Sequence, residues 1–316
     1  MSMSQMQSEE IGAPMSPAPA DELRLTIAVV IASLGRPDLL EQMRDMMAGQ
    51  SLPPDMLLFS VVSESDVPEG FASGENCQVI MGEKGLTRQR NRAIDWLGGR
   101  YDIIVFFDDD FVPSRFALEG MERFFRTHPE VVGATGKVIA DGATNAGLSY
   151  EWARERMDAY DAQGFFPNCI VSTLLGLYGC NMAYRAAAIG DDVRFDERLR
   201  LYAWQEDIDF AGALSKKGRI VHTFAFAGVH LGVKHGRTPG LRLGYSQMIN
   251  PAYLVAKGTM TWRFAARLMF QNFVANHLKA FRPEPWVDRK GRARGNWIGL
   301  IDIMRGRLTP ERIEEL

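Results

Sequence analysis

Apolar residues fall along the chain in short blocks separated by longer amphipathic stretches. Residues 25–31 (LTIAVVI) form an unbroken, largely β-branched run, the pattern of a strand covered on both faces. Ala32-Ser33-Leu34-Gly35-Arg36 reads as a loop, and Pro37 opens a helix over 38–48, where its missing N–H does no harm. Residues 56–62 (MLLFSVV) predict a second strand and 78–81 a short third, while 86–97 is an amphipathic helix stopped by Gly98-Gly99. Residues 102–107 (DIIVFF) predict a central strand running straight into three aspartates. Pro113 and Ser114 then predict the start of a helix reaching about Thr127, 131–138 reads as strand, and 220–229 is a further apolar run. Strands alternating with helices of roughly 10–15 residues imply an α/β domain with a mainly parallel sheet. Ligands of such sheets bind at the carboxyl ends of strands, which singles out the loops at 33–36, 63–66 and 108–110.

Composition narrows the class. In 316 residues, 46% hydrophobic and 24% charged side chains exclude a disordered, collagen-like or disulfide-stapled chain. Cys77, Cys169 and Cys180 show no metal or redox spacing and are expected to be buried free thiols. Residues 1–22 lack the basic and apolar regions of a signal peptide and are expected to form a disordered tail. No run approaches the roughly 20 apolar residues of a membrane span, so a soluble or peripheral protein is expected. The net charge of −3 hides a division: residues 1–210 carry 18 cationic against 33 acidic side chains, and residues 211–316 carry 18 against 6. An acidic part and a basic part suggest two tasks.

Asp108-Asp109-Asp110 is the sharpest chemical feature. Adjacent carboxylates at a strand end repel one another unless a cation neutralises them, and a divalent ion with hard oxygen ligands does so well. A solvated acidic turn is the plainer explanation, but the buried approach through 103–107 puts these acids on a rigid edge. In Trp204-Gln205-Glu206-Asp207-Ile208-Asp209, helical spacing puts Glu206 and Asp207 in a first turn, with Lys216-Lys217-Gly218 closing the helix. Acids there complement the helix dipole, and one held beside Trp204 also suits a general base. His230 ends the 220–229 run, with His235 beyond; a neutral imidazole can complete an aspartate metal site, although a lone histidine is more often structural. Lys84, Arg88, Arg90 and Arg92 crowd one helix start, where cations can neutralise a diphosphate.

With these residues in order, the chain resembles a family 2 glycosyltransferase of the GT-A fold, the kind found in bacterial exopolysaccharide and surface-glycan pathways. The likeness spans about residues 25–226 and rests on VVIASLGRP, GLTRQRNRAID, FFDDDFVP, GCNMAYR, RFDERL and WQEDIDFAGALSKKG. A later stretch, LGVKHGRTPGLRLGYSQMINPAYLVAKG, is similar to one in polysaccharide-assembly members. The resemblance implies a Rossmann-like catalytic domain over 23–235 and inverting transfer from a nucleotide-sugar, expected to be a UDP-sugar, with Mn²⁺ or Mg²⁺. It implies that Asp110 binds the metal, that Asp108 lies at the ribose and uracil side of the same metal site, and that Asp109 reaches the ribose or sugar. Ser33, Arg36, Glu64 and Asp66 fall where the nucleoside is gripped, and Arg88, Arg90 and Asn91 on the donor side. Family members often carry Asp at the strand-2 end, where this chain has Ser63-Glu64-Ser65-Asp66. Asp207 maps to the base, with Glu206 orienting the acceptor or the loop, Trp204 and Gln205 beside the acceptor, and His230 as a late metal or diphosphate ligand. The Gln-x-x-Arg-Trp motif of processive members is absent, which implies addition of one sugar or very few.

Residues 236–316 form a basic extension. Over 260–281, Trp262, Ala266, Met269, Phe270, Phe273 and Phe281 share a helical side with Arg263, Arg267 and Lys279 interspersed. This pattern suits either a helix packed on the catalytic domain or a basic amphipathic helix at an anionic membrane surface. The second case fits a lipid-linked oligosaccharide acceptor and a cytoplasmic enzyme on the inner face of the plasma membrane. Nucleic acid is not expected, since no binding motif accompanies the basic segment. Two other classes remain to be weighed: a nucleotidyltransferase or metal-dependent phosphotransferase, for which no P-loop is present, and a non-catalytic glycan-binding scaffold.

Overall fold

The computed structural model describes residues 24–71, 73–164, 166–234 and 238–316; the expected N-terminal tail and His235 lie outside the described residues. The chain begins with β1 (Ile27–Ala32), α1 (Pro37–Ala48), β2 (Met56–Val61), β3 (Cys77–Met81), α2 (Leu86–Leu97) and β4 (Ile103–Asp108). It continues through β5 (Phe111–Pro113), α3 (Ala117–Thr127), β6 (Val131–Asp141), α4 (Tyr150–Asp161), β7 (Ile170–Thr173) and β8 (Asn181–Arg185). Then come α5 (Ala186–Ile189), α6 (Glu206–Leu214), β9 (Arg219–His230), α7 (Gly240–Lys257), α8 (Trp262–Lys279) and α9 (Arg289–Met304). The α/β expectation holds. Pro113 ends a short strand instead of opening a helix, because Phe111–Pro113 pairs with β9 before α3 begins at Ala117.

The sheet runs β3-β2-β1-β4-β8-β6-β9-β5, with β7 on β9. Its first four strands are mutually parallel, β8 enters antiparallel to β4 and β6, and β6 and β9 run parallel. Strand β1 shows why its run is apolar throughout: Ile27, Val29 and Ile31 feed a core under α1 and α3, while Ala28 and Val30 feed one under α2 and α6. The order reverses between β1 and β4, so the loops after them open on one crevice.

Helices α7, α8 and α9 form a layer of their own. Gly244 and Gly295 let α7 and α9 touch backbone to backbone, since an added Cβ would stand 2.1 Å from the Arg292 carbonyl oxygen and 2.0 Å from that of Leu241. A buried amide chain links the three helices: Asn276 donates to Gln247 (2.7 Å) and Asn296 (3.0 Å), and Asn296 donates to the Gly244 carbonyl (2.7 Å). The layer packs on the catalytic part, where Leu254, Met260 and Ala265 share a core with Leu199 and Ala203. Lys257 bonds both Asp196 and Asp209 at 2.7 Å. Among the described residues no helix is long and apolar enough to cross a membrane. The cysteines are free, but only Cys180 is buried; Cys169 is exposed at the start of a strand edge, contrary to the expectation of three buried thiols.

Candidate active site

Parallel pairing of β1 with β4 sets Ala32 beside Asp108, and this register brings the two following loops together. Ser33 donates to Asp109 Oδ2 at 2.6 Å and Arg36 to Oδ1 at 2.8 Å, with Asp109 buried. Burial raises the Asp109 pKa while Arg36 opposes the rise. Asp66 is a second clamp: its carboxylate accepts from the backbone N–H groups of Gly35 (2.7 Å), Ser63 (2.9 Å) and Val62 (3.0 Å). Burial would lift Asp66, but these donors outweigh it and hold it below the usual carboxylate range. Glu64 is exposed. Asp66, Asp109, Ser33 and Arg36, assigned above to the donor, therefore brace the crevice wall against one another, because buried acids need donors and these are the ones in reach.

Asp108, Asp110 and His230 converge, each offering one ligand atom within 4.8 Å of the others. Asp108 ends β4, Asp110 sits in the turn to β5, and pairing of Phe111 with His230 carries the end of β9 alongside. Asp110 is fixed by the Val233 N–H on Oδ2 (2.7 Å), and its Oδ1 lies 3.3 Å from His230 Nε2. The other imidazole nitrogen, Nδ1, meets Asp141 Oδ1 at 2.9 Å, and Asp141 Oδ2 accepts from the Tyr178 hydroxyl at 2.7 Å. Asp141 and Tyr178 went unnoticed in the sequence. Burial pushes Asp108 up to about 6, against the pull of Arg90 and His230. At His230 burial acts downward, but the bonds to Asp110 and Asp141 prevail and raise it to about 10. The set fits a divalent cation: two hard carboxylates and an imidazole whose far nitrogen is held by a third carboxylate, the usual support of a ligating histidine.

The second acidic pair approaches from below. Helix α6 begins at Glu206 after a strap in which Leu201 (φ 59°), Ala203 (53°) and Gln205 (76°) all lie in the left-handed region. Three such residues in five store strain that packing must hold, as is common at functional sites. Trp204 is half-buried and fixed through its carbonyl by Asn250 of α7 (2.7 Å); the Gln205 side-chain oxygen is buried with no partner. Asp207 is half-buried and accepts from the N–H groups of Ile208 (2.8 Å) and Gly179 (3.0 Å). Burial lifts its pKa, opposed by those donors and by Arg90.

Arg90 joins the two clusters. Fully enclosed, it pairs with Glu206 through Nη1, while Nη2 reaches Asp108 Oδ1 and the Gly179 carbonyl, both at 3.2 Å. Its guanidinium lies against Phe106 and Phe195. Arg90 is thus a strut between the two acidic clusters. Asn91 likewise points away from the crevice, bonding the Phe195 carbonyl (2.9 Å), the Phe195 N–H (2.8 Å) and Glu197 (3.0 Å). Arg88 turns to Glu83 (2.7 Å) and Glu197 (3.6 Å). These three lie within about one turn of α2 and point in different directions around it, and of them Arg90 is the one that bonds the acids of the site.

An α/β fold whose switch-point crevice gathers three residues able to hold a cation, with a carboxylate pair tied to them by one arginine, is suited to metal-assisted chemistry on a ligand bound at the strand ends. Residues 65–191 match the family model described as Glycosyl transferase family 2. By structure the chain is similar to Staphylococcus aureus TarS 1–349 in complex with UDP-GlcNAc, at 14% identity over 92% of this chain and 84% of that one, TM-score 0.54. It is similar to the mannosyltransferase PcManGT from Pyrobaculum calidifontis in complex with GDP-Man and Mn²⁺, at 14% identity over 95% and 88%, TM-score 0.50. GalNAc-T7 with UDP, GalNAc and Mn²⁺ aligns at 12% identity over 90% of this chain and 59% of that one, TM-score 0.51. No curated protein matches by sequence. Residues 65–191 thus carry a match to the family 2 glycosyltransferases, and the fold of the whole chain is the one that these glycosyltransferase structures share.

Proposed function

We propose that this enzyme carries out an inverting, metal-dependent transfer of one sugar from a UDP-sugar, with UDP-glucose the first donor to test, to a hydroxyl of a lipid-linked oligosaccharide. The observation that carries the reading is the tie through Arg90, which sets a carboxylate base and a cation triad at one crevice. Asp108, Asp110 and His230 would hold Mn²⁺ or Mg²⁺, which when bound supplies Lewis-acid neutralisation of a departing diphosphate. Asp207 takes the proton from the acceptor hydroxyl; its raised pKa makes it a stronger base than a solvated aspartate. Glu206, buried against Arg90, holds the start of α6 in register with β4. Gln205 brings a buried, unpartnered acceptor atom to the same turn, suited to a hydroxyl donor on the sugar acceptor. The match of residues 65–191 to a glycosyltransferase family model supports glycosyl transfer over a nucleotidyl or phosphoryl transfer. The UDP-GlcNAc bound by TarS and the GDP-Man and Mn²⁺ bound by PcManGT support the same donor class. An acceptor of this kind puts the enzyme in the cytoplasm at the inner face of the plasma membrane.

The test is a thermal-shift panel of nucleotides and nucleotide-sugars with Mn²⁺ or Mg²⁺, followed by donor hydrolysis and transfer assays. Asp207→Asn is expected to lower transfer by about 10²–10⁴-fold, with the donor-induced shift retained. Near-normal turnover in Asp207→Asn overturns the base assignment, and no metal-dependent shift with any nucleotide-sugar overturns the donor class.

A further inference from the structure

Helices α8 and α9 each turn one side to the rest of the protein and leave the other bare. On α9, Lys290, Arg294, Trp297, Ile301 and Met304 follow one another at intervals of four, three, four and three residues, one straight stripe, and all are exposed. On α8 the exposed side carries Trp262, Arg263, Arg267, Phe270 and Leu278, and Phe281 beyond its end is 87% exposed. The two stripes are continuous, because the Trp297 ring stands edge-on to Phe273 (5.2 Å) and His277 (5.9 Å) of α8. The inner sides are already used: Ala265 and Asn276 of α8 and Gly295, Asn296 and Gly299 of α9 are buried against neighbours.

Charge makes this face one-signed. Residues 259–283 and 289–301 contain no acid. The acids closest in sequence are occupied: Glu284 pairs with Lys279 and Arg289, Asp288 caps α9 through the Gly291 N–H, and Asp302 is buried on Tyr245 and Arg312. Arg267, Arg282, Lys290 and Arg294 have no acidic partner within reach among the described residues.

We propose that the outer face of α8 and α9 docks on an anionic lipid bilayer, with Trp262, Phe270, Phe281 and Trp297 entering the headgroup boundary and the arginines and lysine contacting lipid phosphates. Amphipathic helices that carry both aromatics and cations lie in the interface plane, and Arg263 and Arg267 in mid-face oppose spanning. A second copy of the chain is the poorer occupant, since a two-fold contact would set this basic face against itself. Docking here needs neither donor nor acceptor, so it stands or falls separately from the proposed sugar transfer.

The test is flotation of the full chain with vesicles of phosphatidylcholine alone and with phosphatidylglycerol admixed, at low and high salt. The protein is expected to float with anionic vesicles only, and to be released by salt. At about fivefold per cation, Arg267→Gln/Lys290→Gln/Arg294→Gln weakens partitioning by about a hundredfold. Phe270→Ser/Phe281→Ser weakens it at both salt concentrations, while melting temperature and donor hydrolysis remain those of wild type. Equal binding to neutral and anionic vesicles, or no binding to either, overturns the proposal. So does a concentration-dependent dimer that forms without lipid and is lost in Trp297→Glu.

Discussion

Replacing Arg90 by methionine isolates the strut that couples base to triad. Methionine keeps much of the volume between Phe106 and Phe195 but removes the charge paired with Glu206 and Asp108. Breaking a buried pair from one side costs about 3–5 kcal/mol, mainly through the charge left without compensation. With an unfolding entropy of about 2.1 cal/mol/K per residue, a chain of 316 residues loses about 5–8 °C of melting temperature. Thermal unfolding without metal, followed by circular dichroism, reads this directly. Arg90→Met/Glu206→Gln is expected to recover part of the loss, since the second change removes one uncompensated charge. Transfer activity stays low in both, because α6 is no longer tied to the end of β4. A shift under about 1 °C in Arg90→Met, or strict additivity in the double variant, would refute the strut.

Asp141→Asn is expected to weaken Mn²⁺ binding by about 10–100-fold, as for other carboxylates that hold a ligating histidine. Titration of free Mn²⁺ by electron paramagnetic resonance across pH separates this from proton competition at His230; affinity undiminished at every pH would remove Asp141 from the site. Asp66→Asn leaves backbone donors of both strand-end loops poorly matched and costs about 1.5–3 kcal/mol at neutral pH. Because the folded Asp66 pKa is depressed, its contribution is present above the unfolded carboxylate pKa and is lost as pH falls through the folded one. Urea unfolding of both proteins should therefore converge in acid, and a constant gap would contradict the assignment.

The acids that converge were recognisable one by one. Asp108 and Asp110 end an apolar strand, Glu206 and Asp207 open a helix, and His230 closes another apolar run, all features of local pattern. Asp141 and Tyr178 carried no such mark. Asp141 lies 89 residues from His230 and meets it only because β6 and β9 pair through three register shifts. The protein partners that Arg88, Arg90 and Asn91 take were hidden for a related reason. Sequence shows that cations cluster on α2, but the helix rotation fixed by Ile94 and Leu97 decides that Arg90 points inward and Arg88 along the rim.

The basic extension divides the same way. Its one-signed charge and helical spacing belong to the sequence, because charge and periodicity are properties of neighbours in the chain. Which side of α8 stays bare was settled only by packing, through Ala265 against Leu254 and the Asn276 amide bonds, and so was the joining of the two stripes at Trp297. Local patterns therefore determined the alternating α/β order, the strand-end acids and the helix-borne pair. The tertiary structure alone decided which acids gather with His230 into a set able to hold a cation, which are spent as clamps, and that one buried arginine ties them. Those outcomes depend on strand register and helix rotation, which short-range sequence does not encode and which only the closing of the whole core selects.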